Sequence, residues 1–152
     1  MEHLAAVIEA SAFGTAARES PWLYPVANLV HLFGLVLLVG GIGIVDLRVA
    51  GFFRSLPLTA VSRALTPFAV TGIILLALSG AVQFAADATA LIHSPRFGWK
   101  LVLIAIALAN ALAFRWLWSP GSEPTASLKA MALGSVLLWL TIAALGRLIA
   151  YA

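Results

Sequence analysis

The sequence predicts an all-α integral membrane protein, an antiparallel four-helix bundle with an N-terminal interfacial helix. Hydrophobic residues make up 62% of its 152 residues and charged residues 10%, against about 45–50% and 25% in an average soluble domain. The mean hydropathy is +1.05, which argues against a soluble enzyme or a nucleic-acid-binding protein. Four long apolar stretches lack strand alternation, and a bilayer admits only helices or closed barrels. The stretches are therefore predicted to be transmembrane helices.

The positions of the charged residues define the boundaries of the predicted surface helix and of the four predicted spans. Residues 4–18 are alanine-rich with scattered charges, which is typical of a helix lying at the membrane surface. A spanning helix needs about 20 apolar residues. The four predicted spans are 25–45, 66–86, 97–118 and 128–150. The elements together form a single transmembrane domain, residues 1–152.

Four spans place both chain termini on one side of the membrane. We name this side end A, and it also carries the predicted loop 87–96. End B carries the predicted loop 46–63 and the turn 119–124. Loop 46–63 has three arginines, so the positive-inside rule places end B in the cytoplasm and both termini in the periplasm of a bacterial inner membrane. The opening Met1–His3 is not the basic start of a secretory signal, so no cleaved leader is expected.

His31 is the most informative single residue, because an ionisable side chain within a span is a functional hypothesis by default. Helical spacing places it on one face with Gly34 and Gly41. Small residues below a histidine leave a shallow groove, which suits either a close-packed helix or a flat macrocycle. His31 could therefore hydrogen-bond to a neighbouring helix, or it could ligate a haem or a metal ion.

Other polar residues fall at the same end. Gln83 ends a small-residue face of the second span and could line the same pocket or bond to a neighbouring helix. His93 is the candidate second axial or metal ligand, unless it is simply solvated. Arg96 and Lys100, one turn apart, suit haem propionates or lipid phosphates. Asn28 would complete the surroundings of the pocket.

Three features inside the spans are predicted to be structural. Asp46 and Arg115 would pair across the first and third spans at end B. Asn110, in the middle of the third span, is expected to bond to a neighbouring helix, with Thr141 as a candidate partner. Trp139 lies well inside the fourth span and is expected to pack against a partner helix or a pocket. The chain contains no cysteine, so thiolate metal sites and iron–sulfur clusters are excluded.

Two stretches resemble families of small haem- or copper-associated membrane proteins. Residues 29–48, with His31 ahead of a Gly-Gly pair, resemble the first span of the copper-resistance protein D family and the histidine-containing span of the bacterial membrane-type protoporphyrinogen oxidase. Residues 97–115 look like the Gly-x(n)-Lys-Leu span of both families. In the oxidase family the histidine and the lysine are the functional pair, and the histidine is associated with haem. The resemblance implies these roles for His31 and Lys100. The chain departs from the oxidase pattern at Asn110, since it has no further histidine in the third span.

Three functions remain open. The leading one is a haem-b-binding or redox-associated membrane subunit, acting in electron transfer at the periplasmic end with His31 and His93 as metal ligands. The second is a non-catalytic subunit without a cofactor, assembling with other membrane subunits or with copies of itself. The third is a copper- or metal-handling component that uses His3, His31 and His93 on the outer face. The bilayer is the expected partner and nucleic acid is not, and whether the chain is an enzyme stays open.

Overall fold

The computed structural model describes residues 2–149, which form seven helices and no strand. The helices are α1 (Glu2–Ala10), α2 (Ala12–Glu19), α3 (Leu23–Ala50), α4 (Leu58–Ala86), α5 (Ala88–His93), α6 (Pro95–Leu117) and α7 (Ala126–Ile149). Four of these, α3, α4, α6 and α7, are long and apolar enough to cross a membrane. The predicted four-helix bundle is thus confirmed. The predicted end of the fourth span, residue 150, lies outside the described residues.

The connection between the first two spans is much shorter than the predicted loop 46–63. α3 continues for a further turn past Asp46. The side chain of Asp46 is buried within the bundle, with 6% of its surface exposed, and is not part of a loop. Gly51 then ends the helix in the left-handed region at φ +111°, where its N–H bonds to the Arg48 carbonyl. After residues 51–57, α4 begins at Leu58 and runs through Pro67, which a membrane helix tolerates. The predicted boundary at 66 was therefore wrong.

Close backbone contact between α3 and α4 is made possible by glycines. A Cβ atom built on Gly72 would lie 2.6 Å from the Gly34 carbonyl oxygen, and one built on Gly41 would lie 3.0 Å from the Ala69 nitrogen. The groove beneath His31 is therefore filled by α4. Of the two occupants that the sequence allowed for this groove, the close-packed helix is the one observed.

The four spans pack in the spatial order α4, α3, α7 and α6. The edge between α4 and α6 is wider, since none of their described residues has Cα atoms within 8 Å across it. Stacked Phe84 and Phe97, with ring centroids 5.8 Å apart, bridge this edge at end A. One core cluster between the spans consists of Leu38, Ala69, Ala107, Trp139 and Ile142, and a second, nearer end B, consists of Val45, Val49, Leu58 and Ala132. Trp139 therefore packs within its own chain.

The N-terminal segment is two helices, not the single helix predicted over residues 4–18. The break is at Ser11, whose hydroxyl donates to the Ile8 carbonyl at 2.6 Å and accepts from the Gly14 N–H at 3.1 Å. Serine is a favoured N-cap because this bond satisfies a free amide of the new helix. Both helices pack on the end-A side of the same chain, against α4 and α5.

A pair of charged residues ties these helices to the bundle. The Glu9 carboxylate accepts from the Thr89 N–H at 2.8 Å, at the start of α5. Arg18 donates to the Ala86 carbonyl at 3.2 Å, at the end of α4, and lies 3.4 Å from Glu9. Each charge thus has the sign that the adjacent helix terminus favours. The helix α5, between Ala88 and His93, replaces much of the predicted loop 87–96.

We expect this docking to be strongest between about pH 4.5 and pH 6.5, the ordinary pKa values of a glutamate and a histidine. The Thr89 N–H lowers the pKa of Glu9, so its contribution is lost as the pH falls through that lowered value. The Thr89 carbonyl, followed by Glu2, raises the pKa of His93, so its contribution is lost as the pH rises through that raised value. Both groups are exposed, and the effect will be modest.

A spin label on Ala6→Cys would report this docking, because the chain has no other cysteine. The label should become more mobile both below about pH 4.5 and above about pH 6.5. In His93→Gln the change at high pH should disappear while the change at low pH remains. A high-pH change that persists in His93→Gln would contradict the assignment.

Candidate functional site

A cluster of polar side chains lies inside the end-A half of the bundle, and we name it the end-A cluster. His31 of α3 and Ser79 of α4 are hydrogen-bonded to each other. Gln83 lies one turn beyond Ser79 on α4, and the charge of Lys100, on α6, acts on His31. Three of these four residues were predicted as site residues from the sequence. These residues lie on three different spanning helices, near the same end of the bundle.

The tautomer of His31 follows from its hydrogen bond to Ser79. Nδ1 of His31 lies 2.9 Å from the Ser79 Oγ atom, and that hydroxyl lies 2.6 Å from the Leu75 carbonyl oxygen. A carbonyl can only accept, so the hydroxyl proton goes to Leu75 and His31 donates its Nδ1–H to Ser79. Nε2 then carries the lone pair, and no described residue hydrogen-bonds to it. His31 is thus oriented with its ligating nitrogen unused.

Glycines adjoin both ionisable members of the end-A cluster. A Cβ atom on Gly80 would lie 3.6 Å from Cε1 of His31, and one on Gly146 would lie 3.3 Å from Nζ of Lys100. Lys100 is half-buried and lies within electrostatic range of His31. No described carboxylate lies within 4 Å of Lys100. Among the described residues, the cluster therefore contains a cation without a carboxylate partner and a histidine whose Nε2 lone pair has no hydrogen-bond partner.

Gln83 adds an unsatisfied donor to the end-A cluster. Its Nε2 atom is buried and has no hydrogen-bond partner among the described residues. Leaving such a donor unpaired costs about 1–3 kcal/mol. Gln83 lies one turn beyond Ser79 on α4 and is thus placed to bind a polar group that enters the cluster.

His93 does not join the end-A cluster. It is exposed at the end of α5, with Nδ1 2.8 Å from the Thr89 carbonyl oxygen and Nε2 3.1 Å from a Glu2 carboxylate oxygen. Both partners accept, so both ring nitrogens donate and His93 is an imidazolium in this geometry. Its role as a ligand stays a prediction, and it requires His93 to lose a proton and one of these two hydrogen bonds to break.

The other two predicted site residues also lie apart from His31. Arg96 donates to the Leu148 carbonyl at 3.4 Å, near the end of α7, which leaves further N–H groups of its guanidinium for a ligand. Asn28 is on the exposed surface of α3.

The predicted structural pairs are partly wrong. Asp46 is buried beside Ser135 of α7, its Oδ2 atom has no hydrogen-bond partner among the described residues, and it makes no ion pair with Arg115. Asn110 does bond to a neighbouring helix, but through the Met131 carbonyl at 3.2 Å. Thr141 instead donates to a carbonyl of its own helix. The sequence could not reveal these pairings because they depend on the rotation of each helix about its axis.

No protein-family model matches the chain, and no curated protein and no solved structure matches it either. The resemblance to the copper-resistance and protoporphyrinogen oxidase families therefore stays a prediction.

Proposed function

We propose that this protein is a haem-b-binding or redox-associated membrane subunit with His31 as the axial ligand. The observation that carries the proposal is the bond from Nδ1 of His31 to Ser79, which leaves the Nε2 lone pair free. Metal-ligating histidines almost always donate their other ring N–H in this way, which fixes the ring and raises the basicity of the ligand.

The residues around His31 fit such a group in charge and polarity. Lys100 has no carboxylate partner among residues 2–149, and Arg96 keeps further N–H groups at the same end of the bundle, so both cations suit propionates. Gln83 offers an unpaired donor. α4 fills the glycine groove, and the stacked rings of Phe84 and Phe97 bridge the edge between α4 and α6 at end A, so a macrocycle bound by His31 would require these two rings to separate. The haem would supply one-electron transfer, and its potential would respond to these neighbours.

With His93 engaged at both nitrogens, ligation by His31 alone is favoured over a pair of histidines. We place the site at the periplasmic end of a bacterial inner membrane. Arg54 in the loop of residues 51–57, together with Arg48 and Arg63 at the adjoining ends of α3 and α4, favours a cytoplasmic location for end B.

The chain expressed with a haem supply and purified in mild detergent should show a Soret band that shifts on reduction. We expect His31→Ala to lose the band completely and His93→Ala to keep it. Ser79→Ala should retain the fold but weaken haem retention about 10- to 100-fold, the usual effect of removing a group that orients a ligand. A colourless wild-type protein with normal helical content would overturn the proposal.

A non-catalytic subunit is the second candidate. Large apolar side chains on α6 are exposed along its whole length, including Trp99, Ile106, Leu112 and Trp116. Either lipid or another helix could cover them. A colourless chain that cross-links into a defined oligomer in detergent would favour this function. Copper handling gains no support, because the described residues contain no group of three or more His, Asp or Glu side chains placed to hold a metal ion.

A further inference from the structure

A basic cleft lies at end B, on the opposite side of the bundle from His31. It has a volume of about 290 Å³ and lies between the α3–α4 loop and the start of α7. We name it the end-B cleft. Its lining residues are Arg48, Val49, Gly51, Arg54, Glu123, Pro124 and Lys129. Three cations and one carboxylate thus surround one space, and the proposed function uses none of them.

The two arginines of the end-B cleft are oriented by the backbone of the loop. Nε of Arg48 donates to the Leu56 carbonyl at 2.6 Å, and Nε of Arg54 donates to the Gly51 carbonyl at 3.0 Å. These bonds use one N–H of each guanidinium and leave the terminal N–H groups for an anion. No described carboxylate lies within 4 Å of Arg48, Arg54 or Lys129. The cleft therefore presents two oriented arginines and a lysine without an ion pair to any described carboxylate, and Glu123 is the one anion in its lining.

The surroundings of the end-B cleft favour a lipid over a free anion. Phe52, Phe53 and Leu56, in the same loop, are all at least partly exposed, at 57%, 54% and 46%. The loop joins two membrane-spanning helices, so these side chains lie at the level where headgroups meet acyl chains. A ligand that combines a phosphate with an apolar chain would engage both the cations and the exposed apolar side chains.

We propose that the end-B cleft binds the phosphate of an anionic phospholipid from the adjoining leaflet, through Arg48, Arg54 and Lys129. The acyl chains would then lie beside Phe52 and Phe53. The carboxylate of Glu123 opposes binding, because it is the one anion in the lining. The inference is independent of any haem.

Native mass spectrometry of the purified full chain with phosphatidylglycerol, in detergent, tests the proposal. A cation at a membrane surface contributes about fivefold in affinity. Arg54→Gln and Lys129→Gln should therefore each weaken phosphatidylglycerol binding about fivefold, and the double variant about 25-fold. Glu123→Gln should strengthen phosphatidylglycerol binding about fivefold. A purely structural role for these side chains does not predict that removing the anion and removing a cation change the affinity in opposite directions.

Arg115→Gln is the matched control, since Arg115 is an exposed cation at the same end that does not line the cleft. Its affinity should equal that of the wild type, and circular dichroism should show unchanged helical content in every variant. Equal losses in Arg115→Gln and Lys129→Gln would overturn the site. Displacement of the lipid by millimolar inorganic phosphate would overturn the assignment to a lipid, as would equal binding of phosphatidylcholine.

Discussion

Replacing Gly72 with alanine is expected to lower the free energy of unfolding by about 2 kcal/mol, because it forces α3 and α4 apart. The added Cβ would lie 2.6 Å from two backbone atoms, the Gly34 carbonyl oxygen and the Leu38 nitrogen. Neither atom can move without its helix. The usual gain of about 1 kcal/mol from alanine in a helix is too small to offset this overlap.

Gly40→Ala is the control for this variant. Gly40 lies on α3, and a Cβ there would have no atom within 4 Å, so the substitution should be neutral or stabilising by up to about 1 kcal/mol. Unfolding by sodium dodecyl sulfate, followed by circular dichroism, would measure both. If Gly72→Ala and Gly40→Ala shift the transition equally, the close contact of α3 and α4 is not as described.

The same substitution should disturb the end-A cluster. Gly72 and Ser79 are two turns apart on α4, so a displacement of α4 from α3 also separates Ser79 from His31. Loss of haem retention in Gly72→Ala, alongside retention in Gly40→Ala, would link the glycine contact to the orientation of the histidine.

Trp139→Ala should be the most destabilising single truncation, with a loss of about 3–5 kcal/mol. Trp139 is 5% exposed and packs in the core with Leu38, Ala69, Ala107 and Ile142. No neighbouring side chain can fill the volume that the indole leaves without moving a helix. The expected result is a transition at a clearly lower mole fraction of sodium dodecyl sulfate.

Trp116→Ala is the comparison, since Trp116 is 84% exposed near the end of α6. This variant should change the free energy of unfolding by no more than about 0.5 kcal/mol. A Trp139→Ala variant as stable as Trp116→Ala would mean that the core is not packed around the indole. The two variants remove the same side chain, so the difference between them isolates burial.

The sequence alone predicted the membrane bundle, its four spans and the position of His31. Each span is a local property, because a bilayer requires about 20 consecutive apolar residues and their order in the chain is enough to find them. His31 stands out for the same reason, as an ionisable group in an apolar stretch. The sequence also shows the charged residues Glu9 and Arg18 near the start of the chain, but it does not predict their hydrogen bonds to the ends of α5 and α4.

The tertiary structure decided which side chains meet. That α4 fills the groove beside His31, that Ser79 fixes its tautomer and that His93 is engaged by Glu2 all depend on how each helix is rotated and placed. The same is true of Asp46, whose charge predicts a loop but whose side chain is buried against α7. Hydropathy is a sum over neighbouring residues, so the sequence is enough to locate a span. These contacts join residues that are far apart in the chain, and close packing of the helices decides them. The bilayer therefore determines the spans from the sequence, and helix packing determines the site.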